Sequence, residues 1–389
     1  MACDHYHRWN TDLDLAKQLS LQAYRFSVAW PRIQPDHGGA INQQGLDFYD
    51  RLVDGVLERG MAPCMTLYHW DLPQYLQDRG GWNSRETVDR FVDYARVVAG
   101  RLGDRVASIA TFNEPFITAF LGHWLGTFAP GIKDPQVAMN AGHHQLLAHG
   151  RTLRALRADG VKSPLGIVCI MGPVTPYRPG AADQRAADRR EVLLNRFYLD
   201  SLLQGRYPDR MLELLETAPD IEDGDLEVIS TPMDFLGVNY YYRHRVSAEQ
   251  QEVPLPPGAQ VTAMGWEVSH DGLTQQLLDI RERYGNLPPI YITESGCACD
   301  DRVVDGRVDD GFRSAYLEGQ IAAVGRAIDK GVDVRGYFVW SLLDNFEWSF
   351  GYEKRFGLIH VDFDTQVRTV KDSGHWYRSF IEQQALLDR

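Results

Sequence analysis

"IATFNEPFITAF", residues 109–120, ends an apolar run on Asn113, Glu114 and Pro115. "PPIYITESGCAC", residues 288–299, repeats the arrangement with Glu294 and a following glycine. Runs that are almost continuously apolar, rather than alternating, are what strands buried on both faces of a parallel sheet require. A carboxylate at the end of such a strand sits at the edge where α/β proteins keep their chemistry.

Five more stretches read the same way: "AYRFSVAW" from Ala23, "APCMTLYHW" from Ala62, "PLGIVCIMG" from Pro164, "DFLGVNYY" from Asp234 and "VRGYFVWSL" from Val334. Between them lie segments with apolar residues at helical spacing, such as "QGLDFYDRLVDGVLERG", "TVDRFVDYARVVAGRLG" and "GFRSAYLEGQIAAVGRAIDKG". Each of these three ends in glycine, a usual helix stop. Strand and helix alternate over the whole chain, and no linker divides it, so residues 1–389 read as one catalytic domain. No strand is followed by the glycine-rich turn of a dinucleotide fold. The expected architecture is therefore a (β/α)8 TIM-type barrel, here with seven of the eight strands visible. One long irregular insertion, "VSAEQQEVPLPPGAQVTAMGW" from Val246, is expected to shape the site.

Bulk properties narrow the function. A net charge of −13 argues against nucleic acid and anionic membranes as partners. It also argues against strongly anionic substrates unless a local patch overrides it. No apolar run approaches twenty residues and no leader is visible, so the expectation is a cytoplasmic protein. Five cysteines form neither a secreted disulfide framework nor a zinc set, so neither metal nor cofactor is expected. Nine tryptophans and eighteen tyrosines supply flat surfaces for core or ligand.

Polar residues recur at the strand ends: Arg25, His69, Asn113 with Glu114, Asn239 with Tyr241, and Glu294, with Trp340 as an aromatic counterpart. Two carboxylates facing one another across a barrel mouth suit glycosidic hydrolysis, one ionised and the other held protonated. In the retaining form they lie roughly 5 Å apart. Arg25 would then keep the Glu294 carboxylate charged, Tyr241 would orient it, and Asn113 would bind a sugar hydroxyl. Trp340, Trp348 and Trp266 are the candidate stacking surfaces.

"TFNEP", "ITESG", "YHWDLP", "GVNYY", "MGWEV" and "VWSLLDNFEW" together resemble the retaining β-glucosidases of glycoside hydrolase family 1, over Cys3 to Trp376. The resemblance implies Glu114 as acid/base and Glu294 as nucleophile. It implies that His69, Asn113, Glu347 and Trp348 grip the non-reducing sugar over a Trp340 floor. Arg25 and Tyr241, with Asn239, become the nucleophile's supports. The implied substrate is a small β-glucoside or cello-oligosaccharide, a role in carbohydrate metabolism and cellulose degradation. The chain departs from the family at Ser295, usually Asn, and at Phe116, usually Trp on the leaving-group side opposite Trp266. It also begins where the family's first strand would end, so a seam between the strands at Tyr24 and Val334 is expected, open to self-association into a homo-oligomer. "MACDHYHRWN" is aromatic enough to fold over part of that gap.

Two rival readings remain at this point. A 6-phospho-β-glycosidase would need a phosphate site where "DNFEWSFGYEKRFG" places Glu347 and Phe356. A vestigial sugar-binding protein would have no need of both glutamates.

Overall fold

The computed structural model describes residues 2–36, 39–249 and 253–387. The seven expected strands form as β1 (Ala23–Ser27), β2 (Ala62–Tyr68), β3 (Ser108–Asn113), β4 (Leu165–Ile170), β5 (Phe235–Asn239), β6 (Ile290–Ser295) and β7 (Val334–Val339). They pair in chain order and every pairing is parallel. Helices occupy the outside, including Gln43–Glu58, Arg85–Leu102 and Gly311–Asp329, where helical spacing is read in the sequence. The result is a nearly closed barrel. No helix among the described residues is long and apolar enough to cross a membrane.

Burial follows position in the sheet. The inner strand β5 is buried at every residue, and β3 and β4 at all but one. None of β7 is fully buried, and β1 buries only Phe26. The reason is pairing: among the described residues β1 bonds only to β2, and β7 only to β6. Between these two edges lies a cavity of about 850 Å³, lined by Tyr24, Phe48, Tyr291 and Tyr337 and reaching Arg25 and Trp340 at the mouth.

The aromatic opening segment lies against this gap. Cys3, His5 and Tyr6 line it, and the Tyr24 hydroxyl lies 3.2 Å from His5 Nε2. The segment continues as a helix, His5–Gln18, rather than as a strand, so it adds no ladder to either edge. Tyr6 stacks on Phe48 at 4.4 Å beneath the Arg32 guanidinium, while Arg368 Nε donates to Asp12 at 2.9 Å. Part of the gap is covered in this way, and among the described residues no eighth strand joins the barrel sheet.

Beneath the loops that follow β6 and β7 lies a buried set of charges. Lys371 Nζ donates to Asp344 Oδ1 at 2.7 Å and also to Asp301. Arg313 Nη2 reaches Asp301 Oδ2 at 2.7 Å and the Arg355 carbonyl at 2.8 Å, and Arg313 also pairs with Asp310. Burying an ion costs several kcal/mol unless partners satisfy it. Here the side chains of Arg313, Lys371, Asp301, Asp310 and Asp344 are at most 1% exposed, and each finds at least two partners. The set clamps the chain after Glu294 to the loop carrying Glu347 and Trp348, because Arg313 Nε also donates to the Cys297 carbonyl at 3.2 Å.

Candidate active site

Parallel strands in a barrel end on one face, so the polar strand ends converge without any long-range design beyond register. Arg25, from β1, spans two neighbours: Nη1 donates to Glu294 Oε1 at 2.8 Å and Nη2 to Asn113 Oδ1 at 2.7 Å. The Tyr241 hydroxyl, just past β5, donates to the other Glu294 oxygen at 2.7 Å. Both carboxylate oxygens of Glu294 are thus fixed by donors, and the group is 3% exposed. Gly296 makes this packing feasible, since a Cβ there would stand 1.8 Å from the Trp340 carbonyl oxygen.

Glu114 is equally buried but differently served. One neutral amide, Asn239 Nδ2, donates to its Oε1 at 2.6 Å. Burial pushes its carboxyl well above the ordinary range, and the negative charge of Glu294 adds to the effect. The Asn239 bond and Arg25 oppose this without cancelling it. Two glutamates on one barrel mouth therefore sit in opposite environments, one with a cation and a phenol, the other with an amide.

The wall beside them is aromatic. His69 stacks between Trp340 at 5.9 Å and Trp348 at 6.1 Å, and its Nε2 lies 3.2 Å from Asn113 Nδ2. Asn113 Nδ2 can only donate, so His69 Nε2 accepts and is unprotonated. Burial, with the Arg25 charge, pushes the His69 pKa down to about 3, which keeps the ring neutral. Glu347 faces the same space. Its carboxyl is pushed up to about 7 by burial, with a Trp340 hydrogen bond opposing and Glu294 reinforcing the rise.

Three residues at the mouth hold backbone conformations that side chains disfavour: Trp70 at φ 84°, Glu114 at φ 48° and Trp348 at φ 45°. Each costs about 1–3 kcal/mol and persists only where the surroundings leave no alternative. Trp70 Nε1 donates to the Asn113 carbonyl at 2.9 Å and its ring meets Trp348 at 4.7 Å, which fixes two of the three together.

The sequence profile of glycosyl hydrolase family 1 matches residues 1–386. The chain belongs to this family. It is 46% identical over 386 residues to a β-glucosidase of Agrobacterium sp., covering 97% of this chain and 84% of that one. It is 43% identical over 401 residues to β-glucosidase A of Thermotoga maritima, covering 100% of this chain and 88% of that one. Among solved structures, the family 1 β-glucosidase of Exiguobacterium antarcticum B7 superposes with a TM-score of 0.95 at 42% identity, over 99% of this chain and 88% of that one. A Thermotoga maritima β-glucosidase in complex with glucoimidazole gives a TM-score of 0.94 at 44% identity, over 98% and 88% of the two chains.

Within this family 1 barrel, Arg25, His69, Asn113, Glu114, Asn239, Tyr241, Glu294, Trp340, Glu347 and Trp348 all gather at the same mouth. Asn239 requires a correction. Expected beside Glu294, it bonds Glu114 and Asn113 instead, while its Oδ1 accepts from Thr293 at 2.7 Å. Sheet order allows this because its amide points towards β3 across β4. Trp266 arrives on the insertion, of which residues 250–252 lie outside the described residues, and packs at 5.3 Å from Tyr241. Phe116 is 4% exposed and stacks on Phe120 at 5.0 Å, so it backs the mouth rather than projecting into it. Thr293 and Trp70 also hold the site; they lie inside the quoted "ITESG" and "YHWDLP" stretches, beside the residues to which those stretches point.

Proposed function

We propose that this chain releases non-reducing terminal β-D-glucosyl residues from short β-glucosides by double displacement, with retention at the anomeric carbon. The observation that carries the reading is the unequal setting of Glu114 and Glu294 at one barrel mouth. In the first step a Glu294 oxygen attacks the anomeric carbon, the bond to the aglycone breaks, and the Glu114 proton passes to the departing oxygen. In the second, water attacks the glycosyl ester, Glu114 takes its proton, and Glu294 leaves as carboxylate. His69, Asn113, Glu347 and Trp348 hold the sugar over Trp340, while Phe116 and Trp266 bound the leaving-group side. Arg25 and Tyr241 fix the attacking carboxylate, and Asn239 fixes the acid.

The same reading takes residues 1–389 as one catalytic unit working in the cytoplasm without cofactor or metal. Its substrates are small β-glucosides and cello-oligosaccharides, in carbohydrate metabolism and cellulose breakdown, with neither nucleic acid nor membrane as partner. Following an aryl β-glucoside by proton NMR tests it: β-glucose should appear first and mutarotate later. Absence of turnover, or α-glucose as first product, would sink it.

A pH dependence follows. The mechanism needs Glu114 protonated, and its raised pKa keeps the proton in place through the ordinary carboxyl range. Activity is retained below that pKa and lost as pH rises through it, so the profile of kcat/KM is expected to fall on its alkaline side. Glu347 titrates near 7, so the two must be separated: E114Q should flatten the alkaline limb and E347Q should keep it. The converse result moves the assignment to Glu347.

The open seam supports a homo-oligomer. Among the described residues no strand pairs with the outer edge of β1 or of β7, and such edges pair with other chains. Sedimentation at micromolar concentration is expected to show a species heavier than one 44.2 kDa chain. A single monomeric boundary would refute the association and leave the catalytic roles untouched.

A further inference from the structure

On the leaving-group side, the aromatic wall closes on a cation, Arg190, that no carboxylate among the described residues neutralises. From Glu294 the contacts run through Tyr241 to Trp266, on to Tyr242 stacked at 5.1 Å, and then to His244 at 4.5 Å. His244 Nδ1 lies 3.5 Å from Arg190 Nη2, and the Arg190 guanidinium lies 5.3 Å from the rings of both Phe116 and Phe120. Phe116 is two residues from Glu114, so this arc begins at one glutamate and ends beside the other.

Arg190 is half-buried, and among the described residues no carboxylate pairs with it. The acids of its own helix, Ala181–Glu191, are engaged elsewhere. Asp183 pairs with Arg178 at 2.9 Å, Asp188 with Arg210 at 3.1 Å, and Glu191 accepts from Asn195 at 2.6 Å. Among the described residues, Arg243 and Arg245 beside and on the strand His244–Val246 share the single carboxylate of Glu267, each at 3.5 Å. Burial lowers the Arg190 pKa from its ordinary value, and only Tyr242 opposes it. His244, held neutral by burial and by Arg190 itself, accepts a hydrogen bond but brings no negative charge. A half-buried guanidinium held on ring faces keeps the in-plane N–H donors that His244 does not take for a planar anion, the geometry that arginine matches to carboxylate.

We propose that Arg190 is a specificity-determining residue of the leaving-group site, selecting β-glucosides whose aromatic aglycone carries an anionic group, a carboxylate or its sulfonate equivalent. The aryl ring lies along Trp266 and Tyr242, and the anion meets Arg190. This rests on the hydrolase reading above. It also runs against the net charge of −13, which taken alone disfavours anionic substrates. A local patch of this kind is what reverses that expectation.

The test compares two aryl β-glucosides whose phenols leave equally well, one neutral and one bearing a sulfonate or carboxylate. For the wild-type chain the kcat/KM ratio, anionic over neutral, is expected to be about tenfold, the scale of a charge-assisted hydrogen bond beside solvent. The preference should lie in KM and weaken as salt rises. Arg190→Met, which keeps the apolar stem on Phe116 and Phe120, should bring the ratio to one or below. Arg190→Lys, which keeps the charge, should retain part of it. A wild-type ratio at or below one overturns the proposal, as does an unchanged ratio in Arg190→Met. Hydrolysis of neither glucoside overturns the hydrolase reading itself and the proposal with it, so the two failures are distinguishable. Should Arg190→Met not fold, the wild-type ratio and its salt dependence decide alone.

Discussion

Replacing Glu294 by glutamine is expected to lower turnover of any β-glucoside by on the order of a thousandfold or more, the scale of losing a catalytic nucleophile. The amide keeps the side chain's volume: its oxygen can accept from Arg25 Nη1, and its NH2 can donate to the Tyr241 hydroxyl, at the two positions now held at 2.8 Å and 2.7 Å. The fold should therefore survive, and thermal unfolding followed by circular dichroism checks that point separately. What disappears is the charge that attacks the anomeric carbon. A variant retaining a tenth of the wild-type kcat would remove Glu294 from the mechanism.

Glu114→Gln should produce a loss that depends on what leaves. The value of kcat/KM covers the steps up to aglycone departure, and there the Glu114 proton matters in proportion to the basicity of the departing oxygen. Alkyl glucosides are expected to lose about 10²–10⁴-fold, the usual worth of general acid catalysis. Glucosides of strongly acidic phenols, which depart unaided, should lose little in kcat/KM. Their kcat should nevertheless fall, because the second step needs Glu114 as base for water. That combination produces a burst of phenol followed by slow steady turnover. Equal losses in kcat/KM for both substrate types, read by stopped-flow absorbance, would exclude Glu114 as the acid.

Most of the barrel was legible because a strand buried on both faces has little choice of residue. "LGIVCI" and "FLGVN" carry no alternation to misread, and their ends mark the mouth directly. The two glutamates were legible for the same reason: a carboxylate closing an apolar run is out of place unless the fold brings others to meet it. Asn239 was misplaced because register fixes which residues lie level across a ladder, not the direction of a side chain. Its Cα is level with Glu294, yet its amide crosses to Glu114. The clamp made by Arg313, Lys371, Asp301 and Asp344 left no trace at all. These residues are spread between positions 301 and 371, and a charged residue on an amphipathic segment reads as solvated. Nor does any local pattern announce that Trp70, Glu114 and Trp348 adopt left-handed backbone angles; that follows only from the packing of the finished mouth.

A closed ring of strands has no place from which to come apart, whereas this sheet has two. Protection against local opening should accordingly be graded, highest around β4 and falling towards β1 and β7. The gradient bears unequally on the working parts. Glu114 and Glu294 stand on or beside inner strands, but Arg25, which joins Glu294 to Asn113, belongs to β1, and Trp340 follows β7 directly. Warming would loosen the side chains that aim the carboxylates while the carboxylates themselves remain in place. The catalytic geometry is thus less durable than the barrel, and loss of activity on heating becomes a local event that precedes loss of the fold.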